Sequence, residues 1–154
     1  MARWKAMTVA ALGVAMLAGA ALAASNADIV KDRQESMKAQ AADVKAVGDY
    51  AKGKGDKDAA LKAANDLAAH AAKNMTLFPK GTSSAELAGK SNAKPAIWTE
   101  NAKFQAIFAV QKDKAAKLAD VIKTGAPADV GKASADLGKT ACVACHGSYR
   151  ETVN

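Results

Sequence analysis

The chain has 154 residues, 50% of them hydrophobic, 24% charged and only 5% aromatic, with a formal charge of +7. That apolar content excludes intrinsic disorder, the length suits one domain rather than a multidomain enzyme, and two cysteines are too few for a disulfide-stapled scaffold. Alanine dominates and prolines number three; because Ala, Leu and Lys lose little freedom on entering a helix, an all-α fold is expected.

The N-terminus reads as a targeting segment. Arg3 and Lys5 precede an uncharged run from Met7 to Leu22, and Ala21-Leu22-Ala23 puts small residues at the two positions a signal peptidase reads. A secretory signal peptide over 1–23 is predicted, cleaved before Ala24. The competing reading, a membrane anchor, needs a longer apolar run and leaves the Ala-x-Ala site without a purpose. Losing Arg3 and Lys5 lowers the formal charge from +7 to +5 for the mature domain, 24–154. No later run could span a bilayer, so the product is expected to be soluble, off the membrane and, with a bacterial-looking signal, periplasmic.

Four helices then separate at Gly and Pro. The first is predicted over 26–49, with Ile29, Arg33, Met37, Ala41 and Val44 on one face. Gly53 and Gly55 break the chain, and Asp56 is a plausible N-cap for a second helix reaching Phe78. Its apolar stripe is Ala60, Ala64, Leu67, Ala71, Met75 and Phe78. After a loop over 80–94, Pro95 suits the first turn of a third helix that runs to Lys123 and turns Ile97, Phe104, Phe108, Ala115, Leu118 and Ile122 inward. Pro127 and Asp129 open a fourth, reaching about Arg150, with Val130, Leu137, Ala141 and Cys145 inward. No stretch alternates with period two, so no strand is expected. Four helices with mostly short connections make an antiparallel four-helix bundle. Its core is thin, lined largely by Ala, which leaves room for something else to fill the interior.

The chemistry concentrates at Cys142-Val143-Ala144-Cys145-His146. Two thiols three positions apart, followed at once by an imidazole, form the attachment signature of c-type haem. The thiols add to the two vinyl groups as thioethers, which clamps the macrocycle and places His146 beneath the iron as proximal ligand. Three other readings compete. A Cys142–Cys145 disulfide is possible in an oxidising compartment. A thioredoxin-like pair belongs in a βαβ context that is absent here. Zinc would want more ligands than two Cys and one neighbouring His.

With these residues in view, the mature chain resembles the class II cytochromes c, which include cytochrome c' and low-spin relatives of the cytochrome c-556 type. The resemblance rests on the Cys142-to-Arg150 ending, on Arg33-Gln34, on Phe78-Pro79-Lys80-Gly81-Thr82, and on Lys94-Pro95-Ala96-Ile97-Trp98 with Phe104. It implies a four-helix bundle with one covalent haem c, often a homodimer, and places Arg33 and Gln34 near the haem propionates, where a guanidinium fork would meet a carboxylate. It also implies that Met37, four residues after Arg33, faces the distal side of the haem. Cytochrome c' usually carries an apolar, non-ligating residue there and the low-spin members a ligating Met.

A sixth ligand separates simple electron transfer from gas binding, and the mature chain offers Met37, Met75 and His70. Core filling is the alternative role for Met37, core packing the expected role of Met75, and a boundary position that of His70. Arg150, four residues after His146, could tune the imidazole or cap the helix. Tyr149 and Trp98 are expected to pack near the haem edge and Phe104 and Phe108 to wall it. The leading expectation is a one-electron carrier with iron held by His146 and Met37; the alternative is a five-coordinate protein that binds NO or CO. Partners would be periplasmic redox proteins, with acidic ones favoured by the +5 charge. Basic residues alternating with Asp and Ala, without aromatic platforms, speak against nucleic acid. No constellation for enzymatic catalysis is visible.

Overall fold

A computed structural model of the chain describes residues 25–152. The signal-peptide expectation for 1–23 lies outside these residues.

Helix α1 (Asn26–Ala51) starts on a capping box: the Asp28 amide donates to Ser25 Oγ at 3.2 Å and the Ser25 amide to the Asp28 carboxylate at 3.2 Å. Gly53, at φ 71°, takes the chain out of the helix through a left-handed conformation that a side chain would strain. Helix α2 (Lys57–Asn74) is capped by Asp56, which accepts from the Ala59 amide at 2.9 Å. A single turn, α3 (Ala96–Thr99), precedes α4 (Asn101–Thr124). The last helix is composite: α5 (Pro127–Leu137), a π-helical stretch over Gly138–Val143, and α6 (Ala144–Tyr149). Helices α1 and α4 each pack on both α2 and α5, which closes a ring of four. Among the described residues there is no strand, and no helix is long and apolar enough to cross a membrane.

The α2 stripe of Ala60, Ala64, Leu67 and Ala71 is buried as its spacing predicts. Four expectations need correction. The inward face of α1 is Val30, Arg33, Ser36, Gln40 and Val47; Ala41 is exposed and Ile29 half-buried. Polar side chains that find partners across the bundle took positions that a search for apolar periodicity assigns to neighbours. Helix α2 stops at Asn74 rather than Phe78, leaving Met75 exposed: the chain tightens into turns, with Thr76 N donating to Lys73 O at 3.0 Å and Leu77 N to Asn74 O at 3.1 Å, and Pro79 then keeps Phe78 out of helical geometry. The third helix is broken at Glu100 (φ −112°, ψ 33°), with no Gly or Pro to announce it. The fourth contains the π stretch, which carries Cys142.

Two apolar clusters fill the bundle. The central one combines Val47, Leu67, Leu118, Ile122, Val130 and Leu137 with buried alanines. The other, at one end, is aromatic: Phe104, Phe108 and Tyr149 with Ala93 and Ile97, and Phe78 packed against them. A short antiparallel pairing brings the loop before α3 to the chain's end, with Lys94 N donating to Tyr149 O at 3.0 Å and Glu151 N to Asn92 O at 2.8 Å. This pairing fixes α6 beside the aromatic end.

Candidate cofactor site

A cavity of about 310 Å³ opens at the aromatic end, between α1, the loop before α3, and α6. Helix α1 contributes Arg33, Gln34 and Met37 to its wall, and α6 contributes Cys145, His146 and Tyr149. Phe78, Ile97 and Phe104 supply the apolar surface. The rings stack edge to face, Phe78 on Phe104 at 4.7 Å and Phe104 on Tyr149 at 5.3 Å between centroids, an arrangement that holds the wall rigid. Trp98 packs behind it, its indole N–H donating to Phe78 O at 3.2 Å.

Arg33 is only 5% exposed. Its Nη1 donates to Leu77 O and Thr82 Oγ1, both at 3.3 Å, and its Nη2 to Thr82 O and Ser91 Oγ, both at 3.0 Å. The four terminal N–H groups are therefore spent on the loop, which Arg33 ties to α1. Of the five guanidinium donors only the Nε–H remains for an acceptor in the cavity, so the fork-to-carboxylate pairing expected for Arg33 is not open to its terminal nitrogens. Its carbon also sits 4.4 Å over the Phe78 ring. Burial pulls its pKa down to about 10, which still leaves a cation at neutral pH. No carboxylate forms an ion pair with Arg33 among the described residues. The cavity wall holds Arg33, Lys38 and Arg150 and no Asp or Glu. A buried cation without a counter-charge is costly. An apolar cavity rimmed by cations therefore fits a flat apolar group that brings its own carboxylates, as haem does. Gln34 is exposed at the rim, donating to Lys90 O at 2.8 Å.

Both cysteines are free thiols, half-buried, with Cys145 on the wall and Cys142 one turn earlier. Burial, and then the neighbouring Cys142, push the Cys145 thiol up to about 11; burial also raises Cys142. Catalytic redox pairs and thiolate metal sites need the opposite shift, and no cluster of three metal-binding side chains exists among the described residues. Burial and the Arg150 cation lower the pKa of His146, favouring the neutral imidazole that can bind a metal.

Of the three candidate sixth ligands, the structure brings only Met37 to the cavity that His146 lines. His70 sits between α1 and α2, with Nδ1 3.1 Å from Ser36 Oγ and Nε2 3.6 Å from Asp43. Met75 is 39% exposed and away from the cavity. Sequence reasoning missed Lys38, Asn92 and Ala93, and it missed that the terminal nitrogens of Arg33 bond two backbone oxygens and two hydroxyls of the loop. Asn92 and Ala93 are loop residues with no periodicity to reveal them, and Lys38 reads as an ordinary exposed lysine of α1.

Comparison with known proteins agrees with this geometry. The family model described as "Cytochrome C'" matches residues 28–150. The chain is 34% identical over 123 residues to the cytochrome c' of Pararhodospirillum photometricum, covering 79% of this chain and 95% of that one. Its fold superposes on the oxidized cytochrome c556 of R. palustris with a TM-score of 0.72 at 25% identity, covering 82% and 98% of the two chains. A ferrous variant of the cytochrome c' of Alcaligenes xylosoxidans, solved with NO bound, matches with a TM-score of 0.71 at 25% identity over 84% and 98%.

Proposed function

This chain belongs to the cytochrome c' family and carries the family's single covalent haem c, and from that premise we propose that it is a soluble periplasmic one-electron carrier rather than an enzyme. In this reading residues 1–23 are removed on export, Cys142 and Cys145 would hold the haem through thioethers, and His146 and Met37 would bind its iron. When bound, the haem supplies a one-electron iron couple. The chain does the rest: Phe78, Ile97 and Phe104 keep water off the site, and the cations of Arg33, Lys38 and Arg150 offset the carboxylates of the group. Two protein ligands leave little to rearrange when the charge changes, which favours fast transfer. A surface with excess Lys suits acidic donor and acceptor proteins, through weak and salt-sensitive docking.

The observation that carries this reading is the Met37 thioether on the wall of the cavity that His146 lines. Its test is the absorption spectrum of the ferric and ferrous protein, with and without carbon monoxide. Six-coordinate low-spin spectra and sluggish carbon monoxide uptake are expected. A five-coordinate high-spin spectrum in both states would overturn the Met37 assignment. A gas-binding role is the second reading, favoured by the NO-bound relative; it predicts that carbon monoxide binds the parent protein as readily as Met37→Ala.

A further inference from the structure

Of the three buried amide side chains in the bundle, Gln40, Asn74 and Gln111, the two glutamines bond each other and have no role in the electron-carrier reading. Gln40 on α1 is 9% exposed and Gln111 on α4 is 6% exposed. Unpartnered amides at such depth would cost a few kcal/mol, so where their hydrogen bonds go is informative. Gln111 Nε2 donates to the backbone oxygen of Leu67 on α2 at 3.0 Å and to Gln40 Oε1 at 2.6 Å. Gln40 Nε2 donates to Ser36 O and to Met37 Sδ, each at 3.4 Å. The relay therefore starts on a helix backbone, crosses three helices and ends on the one methionine sulfur at the cavity.

Its direction is set by chemistry. A backbone carbonyl accepts and cannot donate, so Leu67 O requires an N–H from Gln111. The same nitrogen then donates to Gln40, which must present its oxygen, and the Gln40 amide nitrogen is left facing the sulfur. A thioether sulfur has two lone pairs. An N–H held against one of them selects which lone pair is free for the cavity and draws electron density from the sulfur. A sulfur so polarised donates less to a metal and stabilises the more positive oxidation state less.

We propose that Gln40, held in place by Gln111, is a positioning residue for the Met37 sulfur: it fixes which lone pair faces the cavity and raises the reduction potential of the bound iron. This inference rests on the reading in which Met37 is a ligand. The experiment is redox titration against mediators, with proton NMR of the Met37 ε-methyl group, on holoprotein carrying Gln40→Leu, Gln111→Leu, Met37→Leu, and Gln40→Leu combined with Met37→Leu. Gln40→Leu is expected to shift the oxidised-to-reduced ratio at fixed potential about two- to fivefold toward the oxidised form, as suits one neutral hydrogen bond to a weak acceptor. It should also displace the methyl resonance. Gln111→Leu should act in the same direction but less, and it reads the relay even if Gln40→Leu does not fold. In the Met37→Leu background Gln40→Leu should have no effect, since a term acting through the sulfur vanishes with it. An unchanged potential and methyl signal in both Gln variants, with the sulfur-to-iron absorption band lost only in Met37→Leu, would overturn the positioning role and leave the ligand assignment standing. An unchanged spectrum and potential in Met37→Leu would overturn both.

Discussion

The two ends of the core are built on different principles. The central cluster packs Leu67, Leu118, Ile122, Val130 and Leu137 between alanines that bring α1, α2, α4 and α5 close together, and this cluster is completed by its own side chains. The aromatic end uses larger side chains, yet they surround a cavity of about 310 Å³ and an unpaired, buried Arg33. Small residues close one region; large ones hold the other open. The contrast shows that bulk does not decide whether a core is self-sufficient. Phe78, Phe104 and Tyr149 brace one another edge to face, so they form a wall and do not collapse inward. The central region should therefore be stable by itself, whereas the aromatic end depends on its cofactor.

The largest effect is expected from removing that cofactor. In Cys142→Ser with Cys145→Ser, mass spectrometry should find no covalent haem. Because the attached haem fills the cavity and meets its ligands and apolar wall only in the folded chain, removing it leaves that end unpacked, and the melting temperature should fall by ten degrees or more, on the order of 3–4 kcal/mol. Hydrogen exchange should speed up in α6 and in the loop before α3, while amides of α2 and α4 around Leu67 and Leu118 stay protected. Uniform loss of protection would break the distinction between the two ends. Leu118→Ala probes the converse. It opens a cavity at a fully buried site and should cost about 3–5 kcal/mol in denaturant unfolding, with the absorption spectrum unchanged. Arg33→Met comes next. It removes a buried cation, and with it four hydrogen bonds to the loop over 77–91. These effects partly offset, so a net loss of about 1–3 kcal/mol is expected, with faster exchange confined to that loop.

How much of this could be read from the residues follows the same division. Helix α2 and the inward residues of α4 were legible because their burial repeats every three or four positions and rests on apolar side chains. The Cys142–His146 motif was legible because covalent chemistry demands a fixed spacing. Helix α1 was legible as an element but not in its facing: Ser36 and Gln40 point inward to bond Asn74 and Gln111, and no apolar pattern records a hydrogen bond across the bundle. The break at Glu100 carries no Gly or Pro signature, and Gly138, where the π stretch begins, keeps helical φ and ψ (−57°, −46°), so a glycine there does not tell a π stretch from a continuing α-helix. Arg33 was picked out as a site residue, but its partners, two backbone oxygens and the hydroxyls of Thr82 and Ser91, lie 44 to 58 residues further along the chain, and no local pattern links them to it.

The smallest effect comes from the seam between α1 and α2, where the central region is least apolar. Asp43 has a buried carboxylate oxygen with no hydrogen-bond partner, lies 3.6 Å from His70 Nε2, and shares the seam with Asp66 and Lys62. Burial first, then the Asp66 charge, raise its pKa above the ordinary 3.8, and His70 and Lys62 only partly offset this. A carboxyl whose pKa is raised on folding binds its proton more tightly in the native state. Its destabilising contribution is thus absent below 3.8, where both states are protonated. It grows as pH rises from there through the folded pKa and is constant above that value. Asp43→Asn keeps the shape and removes the charge. It should match the parent in denaturant midpoint below pH 3.8 and exceed it at pH 7, by less than about 1 kcal/mol, since most substitutions near the surface stay within that range. Equal midpoints across the range would mean that His70 compensates Asp43 fully. In that case the seam would be as self-sufficient as the apolar cluster beside it, and the dependence on a bound group would belong to the aromatic end alone.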